Sequence, residues 1–289
     1  MRVLCTFPGK YGDILWALPA IRALSRRLGE PVDLTIAGAY GSLKPLLELQ
    51  PYLGRVEAAA WWEVRDTAPM TPRVPPSSQT QEWDYDLVLH LGYRGWPQRP
   101  LPYETLDCLN AEAEPYNVCG YLQDERLELN DPWITLPAER EFSNYRHDDV
   151  TVGFSDEHFE LKAGLVDLLS HWVSLGVCVS QNSRWLGEWS VADEGPGMSW
   201  VDEASLIQTG KVFVGCCSAL HVLAAGLGKQ MVIVEPAEAR WNEIFWPLGK
   251  TGRVELLLGG DGRPTVDARH LRDAVYKKLD AAYKKLEAL

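Results

Sequence analysis

The chain has 289 residues, a net charge of −12 and an apolar fraction of 46%, which allows two domains with separate cores and excludes a largely disordered or fibrous protein. The acidic balance disfavours a general binder of nucleic acid or anionic membrane, while leaving room for a local basic groove. Six cysteines show no CxxC or Cys/His ligand spacing, so they read as packing thiols of a reducing compartment, without disulfides.

Arg2–Phe7 reads as a strand with no signal-peptide core, and no apolar run is long enough for a bilayer; a cytoplasmic protein without a transmembrane segment is expected. PGKYGD (8–13) is a turn. The helical face of Ile14–Leu28 carries apolar residues at 14, 15, 18, 21, 24 and 28, and Pro19 is expected to kink or break it. Val32–Ile36 is the next strand and Leu43–Leu49 a helix stopped by Pro51, so the chain opens as a doubly wound domain. Residues 65–82 form a long Pro/Ser/Thr-rich loop. Asp86–Leu91 is a strand running into the loop GYRGWPQRPLPY. Asp84-Tyr85-Asp86 has the form of a metal-binding D-x-D, but it leads directly into a buried strand and reads as the start of that strand. Tyr103–Ala111 is helical.

A domain boundary is placed before the strand Asp149–Phe154, giving residues 1–148 as one domain and 149–265 as a second. In the second domain Ser155-Asp156-Glu157 caps a helix to Leu175, followed by a strand Val177–Ser180 and a short helix Asp202–Gln208. Lys211 to Pro236 then reads strand, turn, helix, strand, with Ser218–Leu227 as the helix and Gly228-Lys229 as its stop. Such a βαβ unit sets the turn Gly215-Cys216-Cys217-Ser218 at the C-terminal edge of a parallel sheet and on a helix N-terminus. Unpaired amides there suit a phosphate, and Ser218 Oγ can add a bond. An N-cap serine opening an ordinary packing helix is the competing reading. Glu238–Trp246 is a further helix and Arg253–Leu258 a strand. The remaining 266–289 form an amphipathic helix with Leu271, Val275, Leu279, Ala282 and Leu286 on one side; its repeated Tyr-Lys-Lys-Leu allows a dimerising coiled coil as a second reading.

Two segments carry a resemblance to one family. FVGCCSALHVLAAGLGKQMVIVEP resembles the donor-site segment of the heptosyltransferase-like glycosyltransferases (glycosyltransferase family 9), and FPGKYGDILWALPAIRALSRRLG resembles their first strand, loop and helix through Gly12, Asp13, Leu18, Pro19, Ala20, Ile21, Arg22 and Leu24. The chain departs from the pattern at Cys217, where the family has an acidic residue. It departs again at His221, which follows Ser218 by three positions where the family has four. The resemblance implies the GT-B fold: two Rossmann-like α/β domains facing across a cleft, with the last helix packing back on the first domain. It also implies a nucleotide-diphosphate sugar as donor, no other cofactor, no metal, and an inverting transfer to a glycan acceptor such as lipopolysaccharide core. A phage-type relative acting on hydroxymethylated bases in DNA and an inactive sugar-nucleotide binder are the alternatives, and a monomer is expected.

Within that frame Asp13 is the candidate general base, since the matching family aspartate has that role; an aspartate N-cap is the bland reading. The candidate donor residues are Gly12, Ser155, Lys162, Gly215, Ser218, Ala219, Glu235 and Arg240. Ser155 starts a helix, and Lys162 and Arg240 are cations that a solvated face or a surface ion pair would explain equally well. Glu235 leaves the second strand of the βαβ unit, where it could accept from a ribose or base. Acceptor contacts are expected from Lys10 and from Tyr93, Arg94, Trp96 and Arg99, a loop mixing cations with aromatics that suits a sugar, a nucleobase or phosphates.

Overall fold

Residues 1–59, 85–92, 100–116, 120, 122–137, 150–153, 175–177, 199–236, 252–259 and 268–287 are described by the structure, a computed structural model. They fall into two units, Met1–Thr135 and Leu136–Ala239 with Leu248–Leu289, each built on a parallel sheet of its own.

In the first unit β1 (Val3–Phe7), β2 (Val32–Ala37), β3 (Leu53–Ala59) and β4 (Leu87–His90) pair in the order β3-β2-β1-β4. Every residue of β1 is buried, the pattern of a central parallel strand covered on both faces. Helix α1 (Tyr11–Leu28) follows β1 and ends on Gly29 in the left-handed region at φ 74°. The expected break at Pro19 does not occur: α1 is one continuous helix. A proline removes the N–H that would bond the carbonyl four residues back, here that of Leu15. The indole Nε1 of Trp133 donates to that carbonyl at 3.3 Å. Trp133 is itself buried and stacks on Trp16, with ring centroids 5.7 Å apart. The segment bearing Trp133 is anchored by Arg22, buried on α1, which donates to the carbonyls of Pro132 (2.7 Å), Leu127 (3.0 Å) and Glu128 (3.0 Å). A 3-10 turn (Gly38–Leu43) and the single turn α2 (Lys44–Leu47) connect β2 to β3, and α3 (Leu101–Ala113) follows β4.

The second sheet comprises β5 (Val150–Gly153), β6 (Leu175–Val177), β7 (Val212–Gly215), β8 (Gln230–Pro236) and β9 (Val254–Gly259), ordered β6-β5-β7-β8-β9. Leu175, expected to end a helix, instead pairs with Val150 as the first residue of β6. Helix α4 (Trp200–Thr209) opens with a reciprocal cap between Ser199 and Asp202. Helix α5 (Ala219–Gly226) joins β7 to β8. Lys229, just beyond α5, donates from Nζ to the carbonyls of Gln208 and Gly210 at 2.6 Å each, closing the end of α4.

The last helix, α6 (Ala268–Glu287), is laid on the sheet of its own unit. Leu271, Ala274, Val275 and Leu279 share one core with Val150, Val152, Val212, Val214, Val232 and Val234. The reason is the exposed face that β5, β7 and β8 would otherwise leave to water. The same burial spends the stripe that a coiled coil would need. Lys278, buried on the inner flank of α6, donates to the Gly252 carbonyl at 2.7 Å. No helix among the described residues is long and apolar enough to cross a membrane.

Candidate functional site

In the second sheet β5 is followed by β6 on one side, whereas β7, β8 and β9 are laid down on the other. The chain therefore reverses direction between β5 and β7, and ligands of open α/β sheets bind at the carboxyl ends of the strands at such a point. The two strands end there in opposed glycines, Gly153 and Gly215. A Cβ on Gly215 would collide with the Gly153 carbonyl and come within 2.8 Å of the Phe213 ring; one on Gly153 would meet the same ring at 2.8 Å. The bare backbone is thus required by Phe213 packing beneath it, and it also leaves main chain open to a ligand.

Ser218 follows in extended conformation (φ −161°, ψ 172°) and opens α5. The amides of Ala219 and Leu220 start the helix and carry its positive end. Ser218 Oγ is buried and has no hydrogen-bond partner among the described residues, which suits an oxygen-rich ligand at the helix end. His221 closes the same turn from within: its Nδ1 accepts from the Ser218 N–H at 2.7 Å. That bond puts the imidazole proton on Nε2. Burial lowers the His221 pKa to about 3, and a ring nitrogen that accepts from an N–H is held in its neutral form. His221 is thus a neutral cap. Three-residue spacing produces this, because the third helical position is the one whose side chain reaches back to the cap amide. Glu235 stands at the C-terminal end of β8, opposite Leu258. Ser155, Lys162 and Arg240 lie outside the described residues.

The first sheet has its own reversal between β1 and β4, since β2 and β3 lie on one side of β1 and β4 on the other. Asp13 sits there, half-buried in the first turn of α1. Its Oδ2 accepts from the Lys10 N–H at 3.1 Å. The carboxylate therefore caps the helix from the inside and lies at the C-terminal edge of the sheet at once; an acid in the first turn also complements the helix dipole. Gly12 is half-buried beside it and Lys10 exposed. Sequence reasoning missed Gly9. A Cβ there would collide with the Phe7 ring and lie 2.6 Å from Asp13 Cβ, so Gly9 lets the loop fold tightly enough to hold Asp13 at the strand end. It missed His90 as well, the last residue of β4, whose Nδ1 is 2.9 Å from Thr6 Oγ1; a histidine at the carboxyl end of an apolar strand was the available signal. Tyr11, whose hydroxyl is 2.9 Å from Ser42 Oγ and whose ring meets Tyr40 edge-on, ties the same loop to the turn after β2.

Tyr93, Arg94, Trp96 and Arg99 lie outside the described residues, as does Asp84. Asp86 Oδ2 accepts from the Arg2 N–H at 2.7 Å. It therefore serves the start of β4, at the amino edge of the sheet opposite to Asp13.

No protein-family profile and no curated protein matches the sequence. Solved structures do match in fold over nearly the whole chain. A glycosyltransferase family 9 protein from Veillonella parvula superposes with a TM-score of 0.60 at 10% identity, covering 96% of this chain and 97% of its own. The E. coli ADP-heptose lipopolysaccharide heptosyltransferase II gives 0.59 at 14% identity, covering 96% and 99%. The E. coli heptosyltransferase WaaC with ADP gives 0.56 at 14% identity, covering 98% and 99%. The chain has the two-unit α/β architecture of these glycosyltransferases, GT-B, with which its two parallel sheets agree.

Proposed function

We propose that the protein is a glycosyltransferase that moves a sugar from a nucleotide-diphosphate sugar to an acceptor hydroxyl. The observation that carries this reading is the end of the second sheet, where paired glycines, a helix N-terminus and the unpartnered Ser218 Oγ converge on one point. The fold likeness supports it, and one neighbour holds ADP while another takes ADP-heptose; an ADP-linked sugar is therefore the first donor to test. Gly215, Ser218 and Ala219 hold the diphosphate, with Gly12, Ser155, Lys162, Glu235 and Arg240 as further donor contacts. Lys10, Tyr93, Arg94, Trp96 and Arg99 contact the acceptor, for which a lipopolysaccharide-type glycan is the reading, and the reaction is placed in the cytoplasm.

Asp13 takes the proton of the attacking hydroxyl as its oxygen bonds to the anomeric carbon. The bond from that carbon to the diphosphate breaks in the same step, its electron pair leaving with the phosphate, and the anomeric centre inverts. The leaving charge is stabilised by helix amides and cations, so transfer requires no divalent cation. Titration with ADP, UDP and dTDP followed by transfer assays in excess chelator tests the reading. Tight binding of one diphosphate that Ser218→Phe abolishes, with chelator-resistant transfer, is the expected result. Absence of binding by all three would overturn it, and strict dependence on Mg²⁺ or Mn²⁺ would overturn the metal-free step.

A further inference from the structure

The first unit holds a cavity of about 340 Å³ at the end of α1 remote from Asp13, lined by Arg26, Arg27, Arg126 and Glu128 above Ala23 and Leu122. Arg26 lies thirteen helical steps beyond Asp13, about 20 Å at 1.5 Å per residue. The cavity is therefore no part of the strand-end site around Asp13. Its volume lies in the range of small-ligand sites.

Two arginines in the last turn of a helix are an ordinary complement to its dipole. Arg126 is different, because it comes from outside the helix and is brought there by a firmly held wall. Asn110 clamps Leu122 with two hydrogen bonds of 2.9 Å. Arg22 fixes the carbonyls of Leu127 and Glu128. Between these anchors Glu128 adopts φ 48°, the left-handed region, and is the one non-glycine residue to do so among those described. Such a conformation is unfavourable for glutamate and persists only where the surroundings impose it. In this conformation the Glu128 carboxylate pairs with Arg26. Among the described lining residues three guanidinium groups thus meet one carboxylate, in a chain whose net charge is −12. Guanidinium forks bind phosphate oxygens in pairs, and Ala23 with Leu122 gives the cavity an apolar floor.

We propose that this cavity is a second anion site, binding a small molecule that carries two or more phosphate groups, distinct from the donor diphosphate site. The inference does not depend on the glycosyltransferase reading. Calorimetric titration of the full chain with inorganic pyrophosphate at low salt tests it. Arg27→Gln with Arg126→Gln removes two forks from exposed positions and should weaken one binding event at least tenfold, leaving the circular dichroism spectrum of the folded chain unchanged. Glu128→Gln removes the competing carboxylate and should tighten the same event severalfold, which a merely structural role for these arginines would not produce. Ser218→Phe separates the sites: pyrophosphate binding to the arginines persists in that variant. If the donor reading fails, the parent shows one event and the arginine double variant none. The proposal is overturned if pyrophosphate does not bind the parent, if the double variant binds within twofold of it, or if Ser218→Phe alone abolishes all binding.

Discussion

Replacing His221 by glutamine separates a capping histidine from a catalytic one through the pH dependence of stability. In the folded chain burial holds its pKa near 3, against an ordinary value of 6.5. A depressed folded pKa means that the unfolded chain takes up the proton first. Stability is therefore full above pH 6.5 and falls as the pH drops toward 3. The slope approaches about 1.4 kcal/mol per pH unit, which amounts to about 2 kcal/mol lost by pH 5 and about 4 kcal/mol by pH 3 from this group alone. Glutamine at the third helical position can accept the Ser218 N–H through its carbonyl and does not titrate. At pH 7.5 the variant should lie within about 2 kcal/mol of the parent, the difference reflecting lost packing. At pH 5 the balance should move by about 2 kcal/mol in the variant's favour. Urea unfolding followed by tryptophan fluorescence at the two pH values measures this, because the other five histidines and the carboxylates cancel in the difference. Equal pH dependence in both proteins would refute the reasoning. So would a transfer rate in the parent that titrates near neutrality and loses that titration in the variant, since His221 would then be working as an acid or base.

Asp13→Asn should keep the loop intact, because the amide oxygen still accepts the Lys10 N–H, while transfer falls by about 10²-fold or more; unchanged kcat would move the base elsewhere. Gly215→Ala pushes a methyl group into the Gly153 carbonyl and the Phe213 ring, so unfolding free energy should drop by about 1–3 kcal/mol, read as a lower urea midpoint. Trp133→Phe leaves the Leu15 carbonyl buried without a donor, at a loss of about 1–3 kcal/mol. Pro19→Ala restores the missing N–H, so the double-mutant cycle should show that loss shrinking in the Pro19→Ala background; strict additivity would break the assignment.

The parts of the fold legible in the sequence are those fixed by local pattern. β7, α5 and β8 were readable because unbroken β-branched runs flank an alanine-rich stretch, and parallel strands buried on both faces look like that. β3 escaped notice. Gly54, Arg55 and Glu57 interrupt its apolar positions, leaving Leu53, Val56 and Ala59 as the buried ones, a spacing with neither strand nor helix period. The stripe on α6 was equally plain, yet no local pattern says which sheet an amphipathic helix will cover. Pro19 shows the same limit from another side. The rule that proline breaks a helix concerns an unmet carbonyl, and Trp133, distant in sequence, meets it.

The candidate site divides along the same line. Gly215 and Ser218 follow from a βαβ pattern and its turn, and Asp13 from a turn opening a helix. The role of His221 needed the structure, yet its cause is a one-residue difference in spacing. At three positions after Ser218 the imidazole bonds the cap amide at 2.7 Å. The fourth position is occupied by Val222, 1% exposed and given to the core. On α5 the first turn therefore offers an incoming anion no cationic side chain, since His221 stays uncharged at neutral pH. Attraction at this end rests on the amides of Ala219 and Leu220 and on the Ser218 hydroxyl, whose geometry the β7 turn fixes. Fixed dipoles of this kind need no reorganisation when a leaving diphosphate gains charge, whereas a flexible lysine would. On the proposed reading, a helix end without its own cation would hold both bound donor and departing nucleotide, and discrimination between nucleotide bases would come from residues beyond α5, Glu235 at the end of β8 being the first of the proposed donor contacts there.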